Sequence, residues 1–213
     1  MGIQERKEKQ KQEIRKAILD ASIKLFKEEG FDNVSIRKIA EIIQYSPTTI
    51  YLYFKDKKEI LYELCEQGFD MINTFADTLS DISDPLERLK KMGEFYLLFG
   101  SNFPEYYDLM LIQQAPMIHH ADLKLQDWPG ANKIFTHLTN LVQECIDQHK
   151  IPPGDAELIS ITLWSSLHGL ISLNIRMRLE KLVPKESIPS MMLKSLDWLI
   201  EGLITNHVNI KNS

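Results

Sequence analysis

Cysteine is scarce in this chain: Cys65 and Cys145 stand 80 residues apart with no partner at ligand spacing. That excludes a disulfide framework and a cysteine-based zinc site, and it fits a reducing, cytoplasmic compartment. An apolar export signal is missing too, because residues 1–15 are charged. The longest uncharged stretch, Leu158 to Ile175, is interrupted by Ser160, Thr162, Ser165, Ser166, His168, Ser172 and Asn174. It reads as a helix buried in protein rather than a membrane span. No segment sustains a period-two alternation, so no sheet is expected. A nucleophile elbow, a phosphate loop and a metal signature are all lacking. His119-His120 with Asp122 is the one cluster that invites a metal, but adjacent side chains point in different directions and no fourth ligand is near. No metal, cofactor or catalytic residue is expected.

What is present is a globular composition, 213 residues of which 44% are hydrophobic, enough for one large domain or two modest ones. The net charge of -5 disfavours a polyanionic partner for the chain as a whole. Its distribution changes that reading. Residues 1–60 hold 13 Lys and Arg against 10 Asp and Glu, a balance of +3, and the remainder holds 12 against 20, a balance of -8. Only the N-terminal quarter can face phosphates. The basic run Arg6, Lys7, Lys9, Lys11, Arg15 and Lys16 is interleaved with Glu5, Glu8 and Glu13 and reads as a solvated helix end, with an arm on DNA as the alternative.

Apolar residues Ile14, Ala17, Ile18, Ala21, Leu25 and Phe26 recur at three and four, predicting a helix from Gln4 to Glu29 that Gly30 stops. Ser35 is placed as the N-cap of a short helix burying Ile36, Ile39, Ala40 and Ile43, and a turn at Gln44-Tyr45 follows. Ser46-Pro47 opens another short helix with Ile50 and Phe54 as core, since proline is tolerated in a first turn. Asp56 caps a helix running to about Leu79, Asp84-Pro85 starts one through Phe99, and Pro104 opens a shorter one. A long loop is expected from Gln114 to Gly130, then helices over Asn132–Lys150, Gly154–Glu180 and Ile188–Thr205. The fold class is all-α: a three-helix helix-turn-helix domain over 1–58, joined by a linking helix to a second helical domain over 59–213.

Three short helices with a tight turn between the second and third allow one helix to enter the major groove. Residues 46–53 supply it, with Ser46, Thr48, Thr49, Tyr51 and Tyr53 offering hydroxyls to phosphates or base edges, and Lys55, Lys57 and Lys58 following to anchor phosphates. Along Ile14 to Leu61, the ILDAS-x-x-LF-x-x-x-GF run, the SIRKIA helix and SPTTIY-x-YF-x-x-K are similar to the DNA-binding domain of the TetR family of transcriptional regulators. The resemblance implies that Ser35 and Arg37 face phosphate, that Ser46, Pro47, Thr48 and Thr49 address the groove, that Tyr51 and Tyr53 hold phosphates, and that Lys57 completes the contact. Two positions depart from the family pattern: Gln44 stands where glycine is usual, and Tyr45 where a small aliphatic residue is usual. A left-handed turn without glycine costs about 1 kcal/mol.

The C-terminal half also resembles a subgroup of that family with a Trp-x-x-x-His-Gly element, here Trp164, His168 and Gly169. The resemblance implies a homodimer in which the last two long helices of each copy form a four-helix bundle. Ser165, Gly169 and Ser172 permit close approach, while Met192, Leu196, Leu199 and Leu203 give an apolar seam. Phe99, Phe103, Tyr106, Met110, Trp128, Trp164 and His168 are candidates to line a small-molecule effector site, each also a plausible core residue. The expected partners are therefore a near-palindromic duplex, an effector of unassigned chemistry and a second copy, with no membrane. Two rival readings stay open at this point. One is an enzyme using His119, His120, His168 or Asp127 as acid and base; the other is a helical interaction protein of the same fold that no longer binds an operator.

Overall fold

The computed structural model describes residues 2–120, 122 and 127–210, the side chains of residues 3 and 205–210 excepted. Part of the expected loop between Gln114 and Gly130 lies outside the described residues. Among the described residues there are helices and no strands. The helices are α1 (Ile3–Glu29), α2 (Ile36–Ile42), α3 (Pro47–Tyr51), α4 (Lys57–Asp77), α5 (Pro85–Asn102), α6 (Pro104–Tyr107), α7 (Ala115–His119), α8 (Pro129–Asp147), α9 (Ala156–Ile175) and α10 (Ile188–Ile210). A π-helical turn, Asp108–Ile112, continues α6. The chain divides into two compact units, residues 2–68 with 105–122 and residues 69–104 with 127–210.

In the first unit, α1 buries Ile18, Ala21, Leu25 and Phe26, the side that its spacing selects. Gly30, at φ 80°, ends the helix and returns its N–H to the Phe26 carbonyl. Ile39, Ile50, Phe54, Ile60, Leu61 and Leu64 complete a core shared by α1 to α4. The segment from α6 to α7 belongs to this unit and buries Tyr107, Leu109 and Met110. Gly68 makes room for it: a Cβ there would lie 2.0 Å from the Met110 sulfur.

The second unit is built from the rest of α4 with α5, α8, α9 and α10. Two glycines one heptad apart on α5 form notches in the helix surface. A Cβ on Gly93 would come 2.7 Å from Leu196 Cδ1 of α10, and one on Gly100 would come 2.4 Å from Ile171 Cγ2 of α9. Buried Asn73 donates its amide to the Gly130 carbonyl at 2.9 Å, fastening α4 to the start of α8. Phe75 and Phe95 stack with centroids 3.8 Å apart.

Several ends differ from the sequence expectation, and one cause recurs. The helix expected to reach Glu180 stops at Ile175, because Met177 takes φ 53° while Arg178 and Met177 return their N–H groups to Leu173 and Asn174. This 6→1 and 5→2 pairing is the Schellman stop, which usually carries glycine. α8 ends the same way at His149, φ 57°, and it starts at Pro129 rather than Asn132. Part of the expected loop after Gln114 is the short helix α7. The helix expected to be buried in protein, α9, is buried on one face only, through Ser160, Leu163, Leu167 and Ile171, and it exposes Leu158, Ile161 and Leu173.

Candidate nucleic-acid interface

The surface formed by α2 and α3 is set by caps. Ser35 Oγ accepts the Lys38 N–H and starts α2. α2 ends at Gln44, φ 58°, with the Gln44 and Tyr45 N–H groups returned to Glu41 and Ala40 at 3.1 and 2.9 Å. The left-handed turn thus stays at the position where the family pattern has glycine. Ser46 Oγ then accepts the Thr49 N–H at 3.1 Å and lies 2.9 Å from Thr49 Oγ1, so Pro47 enters the first turn of α3 at no cost in hydrogen bonds. Ile50 and Phe54 anchor α3 in the core.

This arrangement leaves Ser35, Arg37, Ser46, Pro47, Thr48 and Tyr51 exposed, and Thr49 and Tyr53 half-buried. Leu52 is exposed as well, at 76%, and Tyr45 at 44%. Leu52 is not among the residues that the hydroxyl pattern singles out, although Ile50 and Phe54 fix the buried side of the turn and the residue midway between them must face outward.

Lys57 is not free on that surface. Its ammonium donates to the Val34 carbonyl at 2.7 Å and to that of Phe31, and sits 4.2 Å from the Phe31 ring centroid. Burial lowers its pKa, and the neighbouring Asp32 charge acts in the opposite sense. Lys57 therefore ties the start of α4 to the turn after α1. Arg15 makes the matching tie, stacking 4.5 Å over Phe54, pairing with Glu63 at 3.0 Å and donating to the Tyr53 carbonyl at 3.4 Å. Lys55 and Lys58 stay exposed. The two adjacent histidines are engaged within the same unit: His119 Nε2 lies 3.0 Å from Asp32 Oδ1 with its ring on Phe31, and His120 Nε2 lies 3.2 Å from the Lys58 carbonyl.

The candidate effector residues fall in both units. In the first, Tyr106 donates its hydroxyl to Gln67 at 3.4 Å, with its pKa raised by burial and then by Asp20 and Glu105, while Met110 packs on Gly68. In the second, the Phe99 and Phe103 centroids are 5.7 Å apart, and Trp128 is buried where α8 begins. Trp164 and His168 share a face of α9, centroids 5.8 Å apart; Trp164 donates to the Tyr96 hydroxyl at 2.8 Å and His168 meets Ser172 at 3.2 Å. Burial lowers the His168 pKa.

Of the expected bundle residues, Met192 and Leu196 turn inward, each 2% exposed, and Leu196 fills the Gly93 notch of its own chain. Ser165 is exposed, a Cβ on Gly169 would meet open space, and Ser172, Leu199 and Leu203 are half-buried. An open groove between α9 and α10 is lined by Ser166, Leu170, Ser190, Met191, Lys194 and Trp198, among others. Its rim carries Trp198, one of the most exposed large apolar side chains of the chain.

Residues 18–64 match the bacterial regulatory proteins of the tetR family, and residues 89–196 match the tetracyclin repressor-like C-terminal domain. The chain is similar to the HTH-type transcriptional regulator RutR of Escherichia coli (strain K12), 23% identical over 153 residues, 71% of either chain. It is 33% identical over 73 residues to an HTH-type transcriptional regulator of Staphylococcus aureus (strain USA300), covering 34% of this chain and 40% of that one. Its fold is that of the fatty acid degradation regulator FadR from Bacillus halodurans, with a TM-score of 0.72 at 18% identity, covering 89% of this chain and 95% of that one. It is also that of FadR from Bacillus subtilis, solved in complex with stearoyl-CoA, with a TM-score of 0.68 at 20% identity, covering 87% and 97%.

Proposed function

The chain belongs to the tetR family of bacterial transcriptional regulators, and from that premise we propose that it is a homodimeric repressor released from a near-palindromic operator by a small-molecule effector. The observation that carries this reading is the exposed surface of α3, held in place from behind by Arg15 and Lys57 and flanked by Arg37, Lys55 and Lys58. Residues 1–58 form the DNA-binding domain and 59–213 the effector and dimerisation domain. Arg37, Ser35, Tyr51 and Tyr53 hold phosphates, and Ser46, Pro47, Thr48 and Thr49 face the groove. Lys57 serves that surface by fixing the turn behind it.

Dimerisation uses the outward faces of α9 and α10, with Ser165, Gly169, Ser172, Leu199 and Leu203 joined by Trp198 and Ile161. Helix α9 is long and apolar enough to cross a membrane by length and composition, and only 22% of that window is buried within the chain. A second copy covering it explains that composition without a bilayer. Met192 and Leu196 support this face from beneath. The chain also belongs, in this reading, to the subgroup with a Trp-x-x-x-His-Gly element, where Trp164 and His168 form one polar-aromatic face and the bare Gly169 admits the partner helix. The second unit takes the effector among Phe99, Phe103, Trp128, Trp164 and His168, and the complex of Bacillus subtilis FadR with stearoyl-CoA favours a molecule that carries a long apolar chain.

The test is selection of bound sequences from a random duplex pool at moderate salt. Two related half-sites about 34 Å apart are expected. A folded protein that enriches nothing would favour the interaction-protein reading.

A further inference from the structure

DNA recognition helices read guanine with arginine or lysine, adenine with asparagine or glutamine, and cytosine with a carboxylate; the thymine methyl is read by apolar contact. Residues 45–54 contain none of the first three kinds of side chain. What they expose is Tyr45, Ser46, Pro47, Thr48, Tyr51 and Leu52. Hydroxyls bond every base pair and discriminate weakly, so the apolar groups carry the distinction. Leu52 stands out here: it is 76% exposed, and it closes α3 four residues after Thr48, on the same side of the helix and next to exposed Tyr51. An exposed leucine in a surface loop needs no explanation, but this one closes α3, whose exposed residues are flanked along the chain by the exposed cations Arg37, Lys55 and Lys58.

We infer that this regulator reads its operator chiefly through thymine methyl groups in the major groove, with Leu52 as the principal specificity-determining residue. The inference rests on the DNA-binding reading above. Arg37 does not reverse it, because the first helix of the motif crosses the backbone rather than entering the groove. Gln44, the exposed amide at the turn, favours adenine and so selects the same A·T pairs. The class of site expected is therefore T-rich in each half, without a conserved guanine facing α3.

The test starts from the selected duplex, resynthesised with deoxyuridine in place of thymine in both half-sites. Deoxyuridine keeps every hydrogen-bonding edge and removes only the methyl. Affinity should fall about fourfold for each methyl contacted, the ratio that burial of one such group is worth. With Leu52→Ala the same replacement should cost clearly less at the position that Leu52 faces, and Leu52→Arg should shift selection toward guanine there. Unchanged affinity on the uracil duplex, or a guanine facing α3 in the wild-type operator, would overturn the inference while leaving the DNA-binding reading intact. A pool from which nothing is enriched would overturn both.

Discussion

Single residues decide how the recognition surface is held. Lys57 directs its charge at the Val34 and Phe31 carbonyls and the Phe31 ring. Replacing it by methionine keeps the stem and removes the bonds. Lys57→Met should lower stability by about 1.5–3 kcal/mol, the range for hydrogen bonds to a charged group, and the loss should appear in denaturant melts without DNA. A variant of wild-type stability would leave Lys57 with no role in fixing the turn. Much at this scale was legible in advance: Ser35, Ser46 and Asp84 cap helices where their side chains and following residues say they should. The inward course of Lys57 was not, because spacing says nothing about which carbonyls a long flexible side chain will find.

At the scale of the element, three helices end in left-handed residues other than glycine, Gln44, His149 and Met177. Each stop is complete in its hydrogen bonds, so glycine would relieve strain without changing geometry. Gln44→Gly, His149→Gly and Met177→Gly should each raise stability by about 1 kcal/mol, additively since they lie in separate turns. A loss on any of them would mean that its side chain makes a contact worth more than the strain. The same residues explain why α9 is shorter than its sequence suggests: periodicity continues to Glu180 and no glycine interrupts it. The apolar side of α10 is plain from spacing, but what that side meets is not. Met192 and Leu196 fit a bundle seam and a core equally well by spacing, and the Gly93 notch across from Leu196 is visible only once α5 and α10 are together.

For the whole molecule, burial holds His120, His137 and His168 below their ordinary pKa of 6.5. The unfolded chain therefore binds more protons than the fold just below that value. Stability contributed by their neutral forms is fully present above pH 6.5 and is lost as pH falls toward the lowered folded values. Urea midpoints should fall between about pH 7.5 and about pH 5.5, a window above the ordinary carboxylate range, and the fall should be shallower in His168→Gln. A midpoint that rises on acidification would show a favourable partner for the charged imidazoles.

The charge asymmetry that singled out the N-terminal quarter also belongs to this scale, and it bears on the central claim that α2 and α3 lie against duplex DNA. The direct measurement is affinity for the selected duplex across a range of salt. Logarithmic affinity should fall linearly with logarithmic salt, with a slope of about -0.9 for each phosphate neutralised, and Arg37→Ala should make that slope shallower by about one. Affinity independent of salt, or a slope that the Arg37 substitution leaves unchanged, would contradict the placement of this surface on the phosphate backbone.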